Sequence, residues 1–449
     1  MTAHELVPPA PTTLEQTGLA AEFVTQLVLK TLDARTELQA TQVVEETGLE
    51  LSVIEPILEA LKLQHLCEIV ASAGAALCFR YRITPRGRER ADEYLSRSRY
   101  VGVAPVTLEQ YRSYMEGFWV RTRVRRISPE RVREALAHLV LRESVIDQLG
   151  AAMNSSRALF VYGPPGNGKT VTSQALGRLL DEDIWIPHAI EVRGSLIQVF
   201  DPINHHVRPL DDVSRGMDQV FRHDRRWVRC RRPAVTVGGE LTLEALDLSP
   251  AGSGGFYRAP VQLVANGGLL VIDDFGRQRD GPAAFLNRWI APLESRVDHL
   301  TLQSGQTAEV PFMVLPVFAT NLRPAELLDE AFLRRIHYKV FLPNPTPDEL
   351  AAIFSHCCAE QGIAYEPQLV DYLLEHIYLP RQIVMRCCQP RDLIDHALAM
   401  AQYLDEPRAL TRRLLEFACA GYFIDEPGGE RAIGGVAPPT GRTAIVQHA

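Results

Sequence analysis

The stretch from Ala158 to Leu180 constrains this chain more than any other. It reads A-L-F-V-Y, then G-P-P-G-N-G-K-T, then V-T-S-Q-A-L-G-R-L-L. A short apolar run enters a glycine-rich turn, and the turn opens directly into a helical pattern. Gly163, Pro164, Pro165, Gly166, Asn167, Gly168, Lys169 and Thr170 fit G-x-x-x-x-G-K-[ST], the pattern of a polyphosphate-binding loop. Glycines let successive backbone N–H groups face the phosphates, and the following helix adds its positive end. Lys169 is expected at the outer phosphates, and the Thr170 hydroxyl is expected on Mg²⁺. With strand, turn and helix in the required order, the stretch predicts a nucleotide-binding α/β fold.

Four downstream segments carry the chemistry further. Gly268–Gly276 reads G-L-L-V-I-D-D-F-G, a buried parallel strand that delivers two carboxylates at its C-terminal edge, where such sheets bind ligands. Asp273 would complete the Mg²⁺ site, and Asp274 would polarise the attacking water. Pro311–Asn321, P-F-M-V-L-P-V-F-A-T-N, is a second buried strand ending on an amide. Asn321 would position water or touch the γ-phosphate, although a lone strand-terminal Asn is more often a turn former. Asp329–Pro343 places Arg334 and Arg335 before another strand, and an exposed arginine on a rim can stabilise charge on a neighbour's γ-phosphate. Gln389–Leu393 puts Arg391 at the start of a helix.

Together these motifs resemble the AAA+ ATPase family over about residues 135–420. The resemblance implies ATP and Mg²⁺ as ligands and ATP hydrolysis as the activity. It makes Gly163–Thr170 the Walker A loop, Leu269–Asp274 Walker B and Asn321 sensor 1. It makes Arg335 the arginine finger, with Arg334 its close rival, and Arg391 the sensor 2 of a C-terminal helical lid. It also implies a parallel sheet of order 5-1-4-3-2. Thr346-Pro347-Asp348-Glu349 suits the start of the lid's first helix, with Thr as cap, Pro at N1 and Glu at N3.

Two departures stand out. Most members carry Glu where Asp274 stands. Asp is one methylene shorter, so modest turnover is expected. The second departure is length: 104 residues separate Lys169 from Asp273, where one helix and one strand need about 30. The surplus is expected as an insertion over residues 201–264, with P-A-V-T-V-G-G-E-L-T-L as a hairpin turning at Gly238-Gly239. G-S-G-G-F-Y-R-A-P-V-Q-L-V-A-N-G-G and a second hairpin over Val297–Val310 resemble insertions of the sigma-54 activators and MoxR chaperones. There Phe256 and Tyr257 have two readings, client-gripping residues or core. The G-A-F-T-G-A signature of the sigma-54 activators is absent, which disfavours transcriptional activation.

Before this core, residues 17–99 pattern as three helices, two strand-like runs and a closing helix, and resemble an α+β winged-helix domain. Its third helix offers Glu50, Glu55 and Glu59 against a single Lys62, and residues 1–100 hold 10 basic and 14 acidic residues. A phosphate-facing helix should be basic, so the charge points to protein docking or dimerisation. Arg80, Arg82, Arg86, Arg88 and Arg90 on the wing keep DNA contact as the alternative. Residues 100–134 read as a linker with helices, including basic Arg121, Arg123, Arg125 and Arg126. The α/β core is expected over 135–343 and the lid over 344–420, with residues 1–16 and 421–449 disordered.

Composition fits this multidomain picture. The chain is 46% hydrophobic and 23% charged with a net charge of −8, which gives no global pull toward nucleic acid or acidic lipid. No apolar run reaches the roughly 18 residues of a membrane helix, and the first residues lack a secretory pattern. The eight cysteines include adjacent pairs rather than C-x₂-C, which fits a reducing cytoplasm better than a metal–thiolate site. The resemblance implies a cytoplasmic AAA+ ATPase that forms a ring, a hexamer by the family's pattern, and remodels a protein client in a chaperone-like way. The rivals are a DNA-associated ATPase and a non-hydrolysing nucleotide switch.

Overall fold

The computed structural model describes residues 6–71, 79–209, 223–323, 327 and 334–423. The chain divides into two compact units, residues 1–344 and 345–449, and each is described by itself.

The first unit is built on five parallel strands: β1 (Leu159–Tyr162), β2 (Ala234–Val237), β3 (Leu269–Ile272), β4 (Leu315–Thr320) and β5 (Tyr338–Phe341). They lie side by side in the order β2-β3-β4-β1-β5. The central strands are apolar throughout because helices cover both faces. Leu159, Val161, Leu269, Val271 and Val317 meet the helices Pro129–Leu136, Glu143–Ser155 and Lys169–Ala175. Phe160, Leu270, Ile272 and Phe318 point the other way, onto Phe285, Leu286 and Trp289 of the helix Pro282–Ser295. The rings of Phe160 and Phe318 lie 5.1 Å apart and those of Phe275 and Phe318 5.0 Å apart. Each such buried side chain contributes about 1.5–3 kcal/mol.

The surplus length forms a second β-rich layer. It begins at Asp183, earlier than expected, with Asp183–Pro187 paired antiparallel to Trp227–Arg231. A mixed sheet joins Val106–Thr107, Ala189–Val192, Ser195–Gln198, Tyr257–Arg258 and Ser249–Pro250. These pack with the helix Leu108–Arg123 around Tyr114, Phe118, Trp185 and Trp227. The expected hairpin at Gly238-Gly239 is not formed. Ala234–Val237 instead pairs parallel with Leu269–Ile272 as the sheet's edge strand β2. Val-x-Val followed by Gly-Gly suits either fate, and the apolar β3 alongside decides it. After β2 the chain turns, with Leu241 N donating to Gly238 O, into a short 3₁₀ segment at Leu243–Leu246. The second hairpin does form, pairing Val297–Thr301 with Thr307–Pro311, with Gly305 in the left-handed region.

At the N-terminal end, helices Ala21–Arg35, Ala40–Thr47, Leu51–Leu63 and Pro85–Arg97 enclose one apolar core. They pack on a three-stranded antiparallel sheet in the order Glu37–Gln39, Arg80–Ile83, Cys67–Ala71. The helix Leu51–Leu63 opens one residue before Ser52, whose hydroxyl donates to Thr12 O, and carries Pro56 beyond its first turn. Residues 72–78, which connect Cys67–Ala71 to Arg80–Ile83, lie outside the described residues.

Disorder over residues 1–16 is also corrected, from residue 6 onward. Pro8 and Pro11 are buried, Asp224 N donates to Pro8 O, and Thr13 caps a helical turn at Leu14–Thr17. Residues 1–5 and 424–449 lie outside the described residues. This segment is tied in by Arg226, only 1% exposed. Arg226 forms an ion pair of 2.8 Å with Asp224 and donates to Thr17 O, Pro105 O and Gln110 Oε1.

The second unit is helical: Pro347–Gln361, Pro367–Leu373 continuing through a wide turn at Leu374–Tyr378, Gln389–Tyr403 and Arg412–Tyr422. Thr346 and Glu349 cap its first helix reciprocally. Leu350, Phe354, Leu373, Leu393 and Leu415 centre its core.

Removing one member of a buried ion pair strands the other's charge, at about 3–5 kcal/mol. Arg226→Ala is therefore expected to lower the urea midpoint of the full chain sharply. Arg226→Met combined with Asp224→Leu, which leaves no buried charge, should cost much less.

Candidate nucleotide site

The site is assembled where β1, β3 and β4 end on one edge. Register fixes this: Tyr162 pairs with Thr320, and Ile272 with Phe318 two residues earlier on the same strand. Gly163 follows β1 at φ 152°, and a Cβ there would meet Leu342 O at 2.2 Å. Only glycine lets the loop leave the sheet at this point. Gly166 and Gly168 then take left-handed φ of 79° and 74° before the helix Lys169–Ala175.

Lys169 is 7% exposed and folds back over the loop, donating to Pro164 O at 2.8 Å. Thr170 Oγ1 donates to Asp273 Oδ2 at 2.6 Å, across 103 residues of sequence. The other carboxylate oxygen of Asp273 accepts from the Asp274 N–H at 3.0 Å. Asp274 sits at φ 48°, a left-handed conformation that short polar side chains tolerate. Asn321 Nδ2 donates to its Oδ1 at 3.1 Å. Thr170, Asp273, Asp274 and Asn321 thus form one continuous polar chain beside the loop.

The donor set fits ATP with Mg²⁺. A hydroxyl and a carboxylate side by side supply the hard oxygens Mg²⁺ prefers, and a loop with glycines at close approach suits a polyphosphate. Thr170 and Asp273 would hold the metal, whose charge draws electron density from the phosphates.

Sequence reasoning missed two residues. Gln278 donates to Asp273 O, Asp274 O and Gly238 O at 3.2–3.4 Å, while its own Oε1 accepts from Gly276 N at 2.8 Å. It braces the acidic turn against the exit of β2. Asn344 accepts from Asn167 Nδ2 at 2.8 Å, and its carbonyl accepts from Arg142. Both sit in loops where neither period nor motif marks them.

Other candidates lie elsewhere. Arg334 and Arg335 precede β5, whose first residue pairs with the first residue of β1. They therefore stand at the opposite edge of the sheet from the loop that follows β1. Arg335 Nε contacts Glu294 Oε1 at 2.5 Å. Arg391 belongs to the second unit, in the first turn of Gln389–Tyr403, with its exposed side chain 3.6 Å from Asp392. Tyr257 is buried, and Phe256 is half-buried with its ring 5.5 Å from that of Tyr100, so of their two readings the core one holds.

A family model described as a domain of unknown function (DUF8689) matches residues 346–421. No curated protein matches the sequence. Among solved structures, NtrX from Brucella abortus is similar at 15% identity and a TM-score of 0.39, covering 62% of this chain and 54% of that one. NtrX in complex with ATP gives 14%, a TM-score of 0.38 and coverage of 62% and 55%. The Holliday junction branch migration motor RuvB from Thermotoga maritima gives 13%, a TM-score of 0.36 and coverage of 62% and 68%. The chain spans about half the length of NtrX. At such TM-scores these likenesses establish no common fold.

Gln278→Leu removes four hydrogen bonds from the acidic turn and leaves the Gly276 N–H without its acceptor. Stranding such a group costs about 1–3 kcal/mol. A lower melting temperature and faster amide exchange at Gly276 are the expected results, and hydrogen-exchange mass spectrometry reads the second directly.

Proposed function

We propose that this protein is an AAA+ ATPase that binds and hydrolyses ATP, assembles into a ring and remodels a protein partner in the cytoplasm. The observation that carries the reading is the Thr170–Asp273 hydrogen bond, which joins the loop to the acidic turn with Asp274 and Asn321 next in line. Read from its other edge, the sheet order is 5-1-4-3-2, and this supports the family.

The roles follow from position. Lys169 holds the outer phosphates, and Thr170 and Asp273 hold Mg²⁺. Asp274 accepts a proton from, or orients, the attacking water, and Asn321 fixes the carboxylate that does so. Asp reaches less far than Glu, so turnover is modest. Arg335, or its neighbour Arg334, acts on the nucleotide of an adjacent subunit, because each stands at the far edge of the sheet from its own loop. Arg391 contributes as sensor 2 from the helical lid at 344–420.

For the N-terminal domain we infer a winged helix, from the order of its helices and its three-stranded sheet. A protein-docking role is favoured by one feature. Arg80 and Arg82, two of the wing's arginines, are both paired with Glu37, which reduces the charge available to a phosphate backbone.

Phosphate release from the purified full-length chain tests the enzyme assignment. Lys169→Ala is expected to lose nucleotide binding. Asp274→Asn is expected to keep it while hydrolysis slows by about 10²–10⁴-fold, the range of a lost general base. An unchanged rate in Asp274→Asn removes that residue from the mechanism, and absence of phosphate release by the wild type leaves a nucleotide switch.

Arg335→Ala and Arg334→Ala test the ring. One of them should reduce turnover by about 10³-fold or more with nucleotide affinity retained. Wild-type turnover in both, or a chain that stays monomeric with ATP at high concentration, ends the intersubunit mechanism.

A further inference from the structure

Three arginines from separate parts of the first unit converge on one cavity of about 710 Å³. Arg123 ends the helix Leu108–Arg123, Arg157 precedes β1, and Arg296 follows the helix Pro282–Ser295. None of the three is paired with a carboxylate among the described residues. Arg334 and Arg335 line the same cavity, and Glu294, which holds Arg335, is the one carboxylate among its described lining residues.

Arg296 is the most constrained of the group. Its guanidinium donates to Ser156 O at 2.7 Å and Val314 O at 3.2 Å, and it lies 4.9 Å from the centre of the Trp119 ring. Its backbone occupies the left-handed region at φ 59°. Burial lowers its pKa to about 10, and the positive charges of Arg123 and Arg157 add to the effect. Arg157 in turn contacts the His337 ring at Nε2, and the other ring nitrogen, Nδ1, lies 3.1 Å from Arg335 O. Contacts that carry no negative charge thus hold Arg296 and Arg157 in place, and Arg123 lies exposed beside them. An anion in the cavity would offset their positive charge.

We propose that this cavity binds a small polyanion carrying two or more phosphoryl groups. Guanidinium forks match phosphate oxygens in pairs, and several forks converging from different elements suit linked phosphates better than a lone anion. The volume lies in the range of small-molecule sites, about 300–1,000 Å³. Nucleic acid would need a basic stripe along an open surface, whereas these groups line a single concavity. Ala158 and Leu293 supply apolar wall. The cavity is complete within one chain and without the phosphate loop; because the ATPase reading assigns Arg334 and Arg335 to a neighbour's nucleotide, the test rests on Arg123 and Arg157 instead.

The test uses the full-length Lys169→Ala variant, which removes binding at the phosphate loop. Titration calorimetry with inorganic tripolyphosphate is expected to give one saturable site per chain, with pyrophosphate weaker and sulfate weaker still. Arg157→Gln and Arg123→Gln, each placed in that background, are expected to weaken tripolyphosphate by about tenfold or more, and the pair together to abolish it. Unaltered circular dichroism and melting confirm that each variant folds. Absence of saturable binding, or binding unchanged by both substitutions, overturns the proposal. So does tighter binding of a duplex oligonucleotide than of tripolyphosphate with the same arginine dependence, since the surface would then serve nucleic acid.

Discussion

The hydrogen bond from Thr170 to Asp273 joins groups carried by two strands that do not touch. β4 lies between β1 and β3, so the 2.6 Å contact exists only while three strands hold a common register. Side chains alternate faces along a strand, and a slip of one residue would turn every apolar group to the wrong side. Phe160, Phe275 and Phe318 interlock on one face, while Leu159, Val161 and Val317 pack on the other. Each face penalises the slip independently. The polar chain at the sheet edge thus rests on apolar packing on the two faces behind it.

The same logic governs the attachment of the surplus segments. The β-rich layer has its own aromatic core, but its contact with the N-terminal residues depends on Arg226. That guanidinium reaches a carboxylate two residues away and carbonyls 121 and 209 residues away. A buried charge tolerates little misplacement, because each lost hydrogen bond leaves a desolvated donor. Apolar packing alone would allow the segments to slide, whereas the fork of a single arginine fixes their positions. Gly255 adds a second fastening, with φ of 65° and an ideal Cβ position 2.1 Å from Arg97 O.

What the sequence made legible follows from how local the signals are. The loop, the acidic pair and Asn321 are read from contiguous residues and lie together in the structure, and the cap at Thr346 is formed. β2 was misread because Ala234–Val237 and its glycines carry a signal valid for two structures. Its partner β3 lies 35 residues further on, beyond the reach of any local pattern. Gln278 and Asn344 were missed for a related reason. Their importance lies in which carbonyls and amides surround them, and a polar residue in a loop does not announce its neighbours. The residues from 6 to 16 look too poor in apolar side chains to fold alone. They are ordered by a surface built from residues 105–117 and 223–227.

Net charge gave the least guidance. At −8 the chain as a whole argues against anionic ligands, yet the parallel sheet sorts charge by strand polarity. Residues that follow strands gather at one edge, where Asp273 and Asp274 sit beside Lys169. Residues that precede β1 and β5 gather at the other, where Arg157, Arg334 and Arg335 meet Arg123 and Arg296. Electrostatic interaction falls off over about 8–10 Å at ordinary ionic strength, so a ligand at either edge responds to that local group and not to the sum. A single register therefore gathers two charged clusters of different character at opposite ends of the strands, and the composition that averages them describes neither.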